Sequence, residues 1–238
     1  MRSLPCLLAG LVLVAGCASD GSSQLPTGAE PVELDPSDFG ATIDNPWWPM
    51  RPGTRWVYRE TDGEGGVQRV EVTVTERTRE VLGIEARVVH DVVTEDGRVV
   101  EDTYDWYAQD DRGNVWYLGE DTREYAEDGT VSTEGSWEAG VDGAQAGILV
   151  PAQPEVGMRY RQEYLAGEAE DAAEVVSLDA RAVVPAGRFE HVLATRETTP
   201  LEPGLVERKH YARGVGPVLA MTVSGGSSRE MLIRVDRP

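Results

Sequence analysis

The chain has 238 residues, 40% of them hydrophobic, and its 42 acidic against 22 basic side chains give a formal charge of −20. That length can bury a real core without requiring two domains. So acidic a chain repels nucleic acid and anionic headgroups, which argues against both as direct partners, while the surplus carboxylates otherwise read as a solvated surface.

The N-terminus carries Arg2 and a short apolar run over residues 7–15, too short to span a bilayer as a mature helix. The run closes on Val14-Ala15-Gly16-Cys17, which resembles the lipobox of bacterial lipoproteins, where the leader is cut before the cysteine and the thiol takes up diacylglycerol. The resemblance implies a signal peptide over 1–16 and a lipid (palmitate-type) anchor at Cys17. The expected place is the cell envelope, on the outer face of the cytoplasmic membrane or on the outer membrane, toward which Ala18 points because it is not Asp. Cys6 leaves with the leader, so the mature chain keeps no disulfide and no thiolate metal ligand, and its stability rests on packing. Residues 17–41, rich in Ser, Gly, Pro and acid, read as a flexible tether to a single β domain over 42–238.

Within that domain, Asn45-Pro46-Trp47-Trp48-Pro49 and Pro52 forbid a strand interior and suggest an aromatic plug against a sheet, or a stacking platform for a ligand. Residues 69–78 and 84–94 then alternate apolar and polar, with Ile84, Ala86, Val88, His90 and Val92 on one face. Residues 101–125 hold two aromatic runs around the turn 109–114 and form the central hairpin. Asp-Gly turns between period-two runs indicate an antiparallel meander over 53–135. Residues 136–156, rich in Gly and Pro, break the alternation and read as a crossover packed over the core. A second meander follows over 157–238, in which 168–175 is open to a short helix instead of a strand. The expected fold is mainly β: one large curved antiparallel sheet, half-barrel or barrel-like, of about 10–12 strands. A gapless shift of 104 positions pairs Gly53 with Gly157, Arg55 with Arg159, Val88 with Val192 and Tyr107 with Tyr211, which suggests two duplicated meanders.

The stretches Val184-Pro185-Ala186-Gly187-Arg188-Phe189 and Tyr211-Ala212-Arg213-Gly214-Val215-Gly216 resemble motifs of a group of uncharacterised bacterial envelope lipoproteins, with Arg213 where proline is usual. More distantly the pattern is similar to the LolA and LolB half-barrels. The resemblance implies a curved sheet around an apolar cavity and carries no settled activity.

No motif of known chemistry stands out. His90, His191 and His210 lack metal-ligand spacing, and no nucleophile elbow or phosphate loop is present. Asp110, Asp111 and Asn114 crowd a turn in a way that could suit Ca²⁺, although the register of a calcium loop is missing and ordinary turn chemistry accounts for them as well. Three readings remain. The first is a non-catalytic binding module holding an apolar ligand or envelope partner on a concave sheet, with Trp47, Trp48, Trp106, Trp116, Tyr107 and Tyr211 as the contacting rings. The second is a structural lipoprotein with a filled core and no ligand. The third is a hydrolase using paired carboxylates.

Overall fold

The structure, a computed structural model, describes residues 25–63 and 65–238. Cys17, the leader, the first part of the expected tether and Glu64 of the 62–66 turn lie outside the described residues. The 3-10 turn Pro36–Asp38 leads into β1 (Phe39–Gly40), β2 (Arg55–Thr61), β3 (Val67–Val81), β4 (Ile84–Glu95), β5 (Arg98–Asp110) and β6 (Val115–Tyr125). The short pieces β7 (Val131–Ser132) and β8 (Trp137–Glu138) come next, then β9 (Gln145–Val150), β10 (Arg159–Arg161) and β11 (Glu163–Tyr164). The chain ends in β12 (Ala172–Val184), β13 (Gly187–Thr198), β14 (Val206–Ala212), β15 (Gly216–Ser224) and β16 (Arg229–Asp236).

The 16 strands of the described residues belong to one antiparallel sheet with the order β10-β12-β13-β14-β15-β16-β2-β3-β4-β5-β6-β9-β11, while β1 adds to β5 and β7 and β8 add to β6 off this path. The two ends of that path, β10 and β11, are neighbours in sequence separated by Gln162, so the chain itself crosses the gap and the sheet is nearly a closed barrel. Closure removes the exposed edges that a sheet of this size would otherwise present. At this seam Gly147 is pressed against the backbone: a Cβ there would lie 2.3 Å from the carbonyl carbon and oxygen of Gln162.

The expected pattern holds in the meanders and fails between and before them. Where a crossover is expected at 136–156, the apolar run enters the sheet as β9, with Ile148 opposite Trp116 and Gly147 opposite Tyr117. Where a helix is open over 168–175, β12 runs from Ala172 and pairs with β13, Ala173 facing Glu197, because two strand neighbours satisfy its backbone better than an isolated turn would. Where a free tether is expected to residue 41, the chain from Leu25 onward lies on the barrel as a strap. Leu25, Val32, Leu34 and Phe39 pack against the core, and β1 pairs with β5 through Phe39 and Asp110.

Arg161 fixes the strap to the seam. Its backbone N–H donates to the Pro26 carbonyl at 2.6 Å. Its buried guanidinium donates from Nε and Nη2 to the Ala146 carbonyl and from Nη1 to the carbonyls of Gly28 and Glu30. A guanidinium presents its donors in a fixed fork, which suits a point where three segments meet.

The halves run the same course. A shift of 104 carries β3 onto 171–185, where β12 lies, and β4 onto 188–199, where β13 lies. Tyr107 on β5 faces Arg87, and Tyr211 on β14 faces Leu193, two residues beyond the position that shift assigns to its partner. A slip of two preserves the face of every side chain, so both tyrosines point inward.

Candidate functional site

The segment 43–50 closes one end of the barrel. Ile43 bridges Met50, and Asn45 turns the chain by accepting the Trp47 N–H at 2.9 Å while its own amide donates to the carbonyls of Gly113 and Pro151. Gln109 accepts from the backbone N–H groups of Asp44 and Asn45, and the Gly214 N–H donates to the Pro46 carbonyl. This plug drives Trp48 between the halves, with its ring 5.9 Å from that of Tyr107 and 6.1 Å from that of Tyr211. Gly216, at φ 106°, makes room: a Cβ there would meet the Trp48 ring at 2.8 Å.

Beyond the plug lies a hollow of about 400 Å³ inside the barrel. Strand alternation decides its lining, and the same rule repeats on four strands: the inward residue next to the plug is a tyrosine and the next inward residue away from it is charged. Tyr58 is followed by Glu60 on β2, Tyr107 by Asp105 on β5, Tyr117 by Glu120 on β6 across a bulge, and Tyr211 by Lys209 on β14. An aromatic tier therefore rests on the plug, and a charged tier stands above it. Eight carboxylates line the hollow (Glu60, Asp91, Asp105, Glu120, Glu163, Asp171, Glu207 and Glu230) against the single cation Lys209.

Several of these acids face one another. Asp105 and Glu120 are direct cross-strand partners, and so are Glu60 and Glu230. Directly opposed side chains of a sheet have Cβ atoms about 4.5–5.5 Å apart, so two like charges there repel. Burial pushes both Asp105 and Glu120 upward from the ordinary carboxylate range, Glu120 further, because the Asp105 charge adds to its burial while hydrogen bonds from Tyr117, whose hydroxyl donates to Asp105 Oδ1 at 2.7 Å, and from Tyr107 favour the ionised form of Asp105. Burial raises Glu163 to about 8, and burial with the Glu60 charge raises Glu230 to about 7. Asp91 is pushed well up by burial and by the charges of Asp105 and Glu230, and its Oδ1 is sealed with no hydrogen-bond partner among the described residues.

Lys209 is spent locally. Its Nζ lies 2.8 Å from Glu197 Oε2, and that ion pair holds its pKa well above the ordinary value despite burial. The lysine side chain keeps 35% of its surface open although the wall surrounds it, so the hollow is accessible to solvent.

The aromatic residues expected as ligand contacts do not converge. Trp48, Tyr107 and Tyr211 line the hollow. Trp47 is buried in the plug with the Arg213 guanidinium 5.4 Å from its ring centroid. Trp106 faces away, because Asp105 and Tyr107 on either side of it point inward; it pairs across strands with Val88, and Arg79 stacks on its ring at 3.8 Å. Trp116 lines a separate cleft of about 730 Å³ beneath the strap, beside Phe39 at 5.8 Å.

The oxygen-rich turn is a hairpin lock. Asp110 Oδ1 accepts from the backbone N–H groups of Arg112 and Asn114, and its Oδ2 accepts from Asn114 Nδ2 and Trp116 Nε1. Asn114 Oδ1 accepts from the Ala152 N–H. The oxygens of Asp110 and Asn114 are thus engaged within the turn, and among the described residues no three His, Cys, Asp or Glu side chains, Asp111 included, are placed to hold a metal ion. His90 stacks on Tyr104 at 4.3 Å and bonds Asp102 at 2.7 Å, on the face turned away from the hollow. His191 pairs with Asp179 on an exposed surface, and His210 is buried.

The expected apolar cavity is thus a solvent-accessible, acidic one. The signal lay in the sequence: Tyr58 and Glu60, Asp105 and Tyr107, and Lys209 and Tyr211 share the parity of their strands, so an inward tyrosine brings its charged neighbour with it. The seam and the strap had no such signal, since neither is periodic.

No family model matches the chain, and no curated protein sequence does. Among solved structures, a protein described as exported with a YmcC-like fold, from Bacteroides fragilis, aligns at a TM-score of 0.48 with 15% identity, covering 80% of this chain and 98% of that one. A protein described as a lipoprotein from Parabacteroides distasonis aligns at a TM-score of 0.45 with 13% identity, again covering 80% and 98%.

Proposed function

We propose that the protein is a lipid-anchored protein of the bacterial cell envelope, held to its membrane through Cys17, and that its barrel is a non-catalytic binding module for a small molecule seated in the hollow. The observation that supports binding over a filled structural core is that hollow: about 400 Å³ bounded by a nearly closed wall, a plug at one end and charged side chains open to solvent. Ligand pockets characteristically place a few polar groups against an aromatic surface. A purely apolar guest fits poorly, since it would strip water from the carboxylates and give them no partner in return. The guest expected is therefore amphipathic, its carbon body on the Trp48, Tyr107 and Tyr211 tier and its polar end on the acids.

Native mass spectrometry of the protein purified from its own envelope tests this. The wild type should carry a co-purifying small molecule, and Ala220→Trp, which fills the hollow from β15, should lose it. A bare wild-type protein would favour the structural reading instead.

One observation favours a hydrolase as the second reading: Asp105 and Glu120 stand side by side with their acidities pushed apart, as an acid and base pair requires. Turnover of a glycoside that vanishes in Glu120→Gln would establish it.

A further inference from the structure

Resting on the binding reading above, we propose that the guest is an organic ammonium ion, its N–H groups on the carboxylates of the hollow and its carbon body on the aromatic tier.

Charge balance is the first ground. Eight carboxyl groups share the hollow with one lysine, and that lysine is committed to Glu197; those that burial and mutual repulsion keep protonated in the empty hollow can ionise against a cation. The second is an unmet acceptor: Asp91 Oδ1 is sealed from solvent without a hydrogen-bond donor among the described residues, in the wall of the hollow itself. A buried carboxyl group so short of donors is costly, and a guest N–H reaching the part of Asp91 that lines the hollow would offset that cost. The third is the aromatic tier, because ring faces attract cations and are indifferent or hostile to anions.

The spacing of the acids selects the kind of cation. They are spread around the wall over β2, β4, β5, β6, β11, β14 and β16, and no three converge as a metal site among the described residues. A small inorganic ion needs several oxygens at one point, whereas an extended amine meets dispersed carboxylates one at a time. Fatty acids and other anions are disfavoured, since they would find no free cation among the lining residues.

Isothermal titration of the whole protein at pH 7 with benzylamine, spermidine and the neutral isostere benzyl alcohol tests the assignment. At least one amine should bind about tenfold tighter than the alcohol. Asp91→Asn should weaken the amine while raising the thermal midpoint of the empty protein, because it removes a sealed, unpartnered carboxylate; a folding defect would lower both. Glu230→Gln, three strands along the wall on β16, should weaken the amine in the same way. If the alcohol binds as tightly as the amines, the ammonium assignment falls and the binding reading stands. If phenylacetate binds more tightly than benzylamine, the assignment falls likewise. If neither amines nor alcohol bind and the envelope-purified protein is bare, both fall together.

Discussion

At the scale of single residues the protein keeps acids in a partly desolvated wall. Glu120, Glu163 and Glu230 all have folded-state acidities shifted upward, so the native form holds protons that the unfolded chain releases. Their stability contribution is complete below the unfolded value near 4.5 and is lost as pH rises through the folded values, about 7 for Glu230 and about 8 for Glu163. Solvent access to the hollow moderates the effect. The thermal midpoint should therefore fall between pH 5 and pH 9 by roughly 5 °C or more, and Glu120→Gln should flatten that slope and raise the midpoint at pH 8. Calorimetry across this range checks it, and a midpoint that climbs with pH would contradict the protonated state of the wall. The tyrosine and acid parity was readable from the sequence. Which of the two strand faces turns inward was not, because Val88 and Trp106 on one face are as buried as Tyr107 on the other.

Among the elements, the weakest junction is the seam between β9, β10 and β11. Here Gln162 bridges the ends of the sheet, Gly147 admits its backbone, and Arg161 ties in the strap. Gly147→Ala drives a methyl into main chain that has nowhere to move, so it should cost about 3 kcal/mol, the upper end of overpacking penalties. Urea denaturation measures that loss, and hydrogen exchange should show amides at 145–150 and 159–164 opening first. The long meander strands were legible because alternation over a dozen residues is a strong signal. The two- and three-residue strands of the seam were not, since a pairing that short is dictated by its neighbours and leaves no period of its own.

For the molecule as a whole, two halves of matching strand course make one wall, joined where β2 meets β16 through seven paired residues of β2. Neither half closes alone. A fragment of residues 53–150 should expose unpaired β2 and β9 edges and elute from size exclusion as aggregate, while mixing it with 151–238 should recover some monomeric complex. The likeness of the halves at 104 residues was visible in turn glycines and paired tyrosines, and the prolines around Trp47 and Trp48 marked a plug, but its place between the halves was not legible, because Trp48 comes from neither repeat. That wedge also gives the interior a sense of direction. With rings at the floor and ionisable groups overhead, turning a guest end for end would exchange every favourable contact for an unfavourable one. A guest of the proposed kind would be held in a single orientation, nonpolar end down and headgroup among the acids.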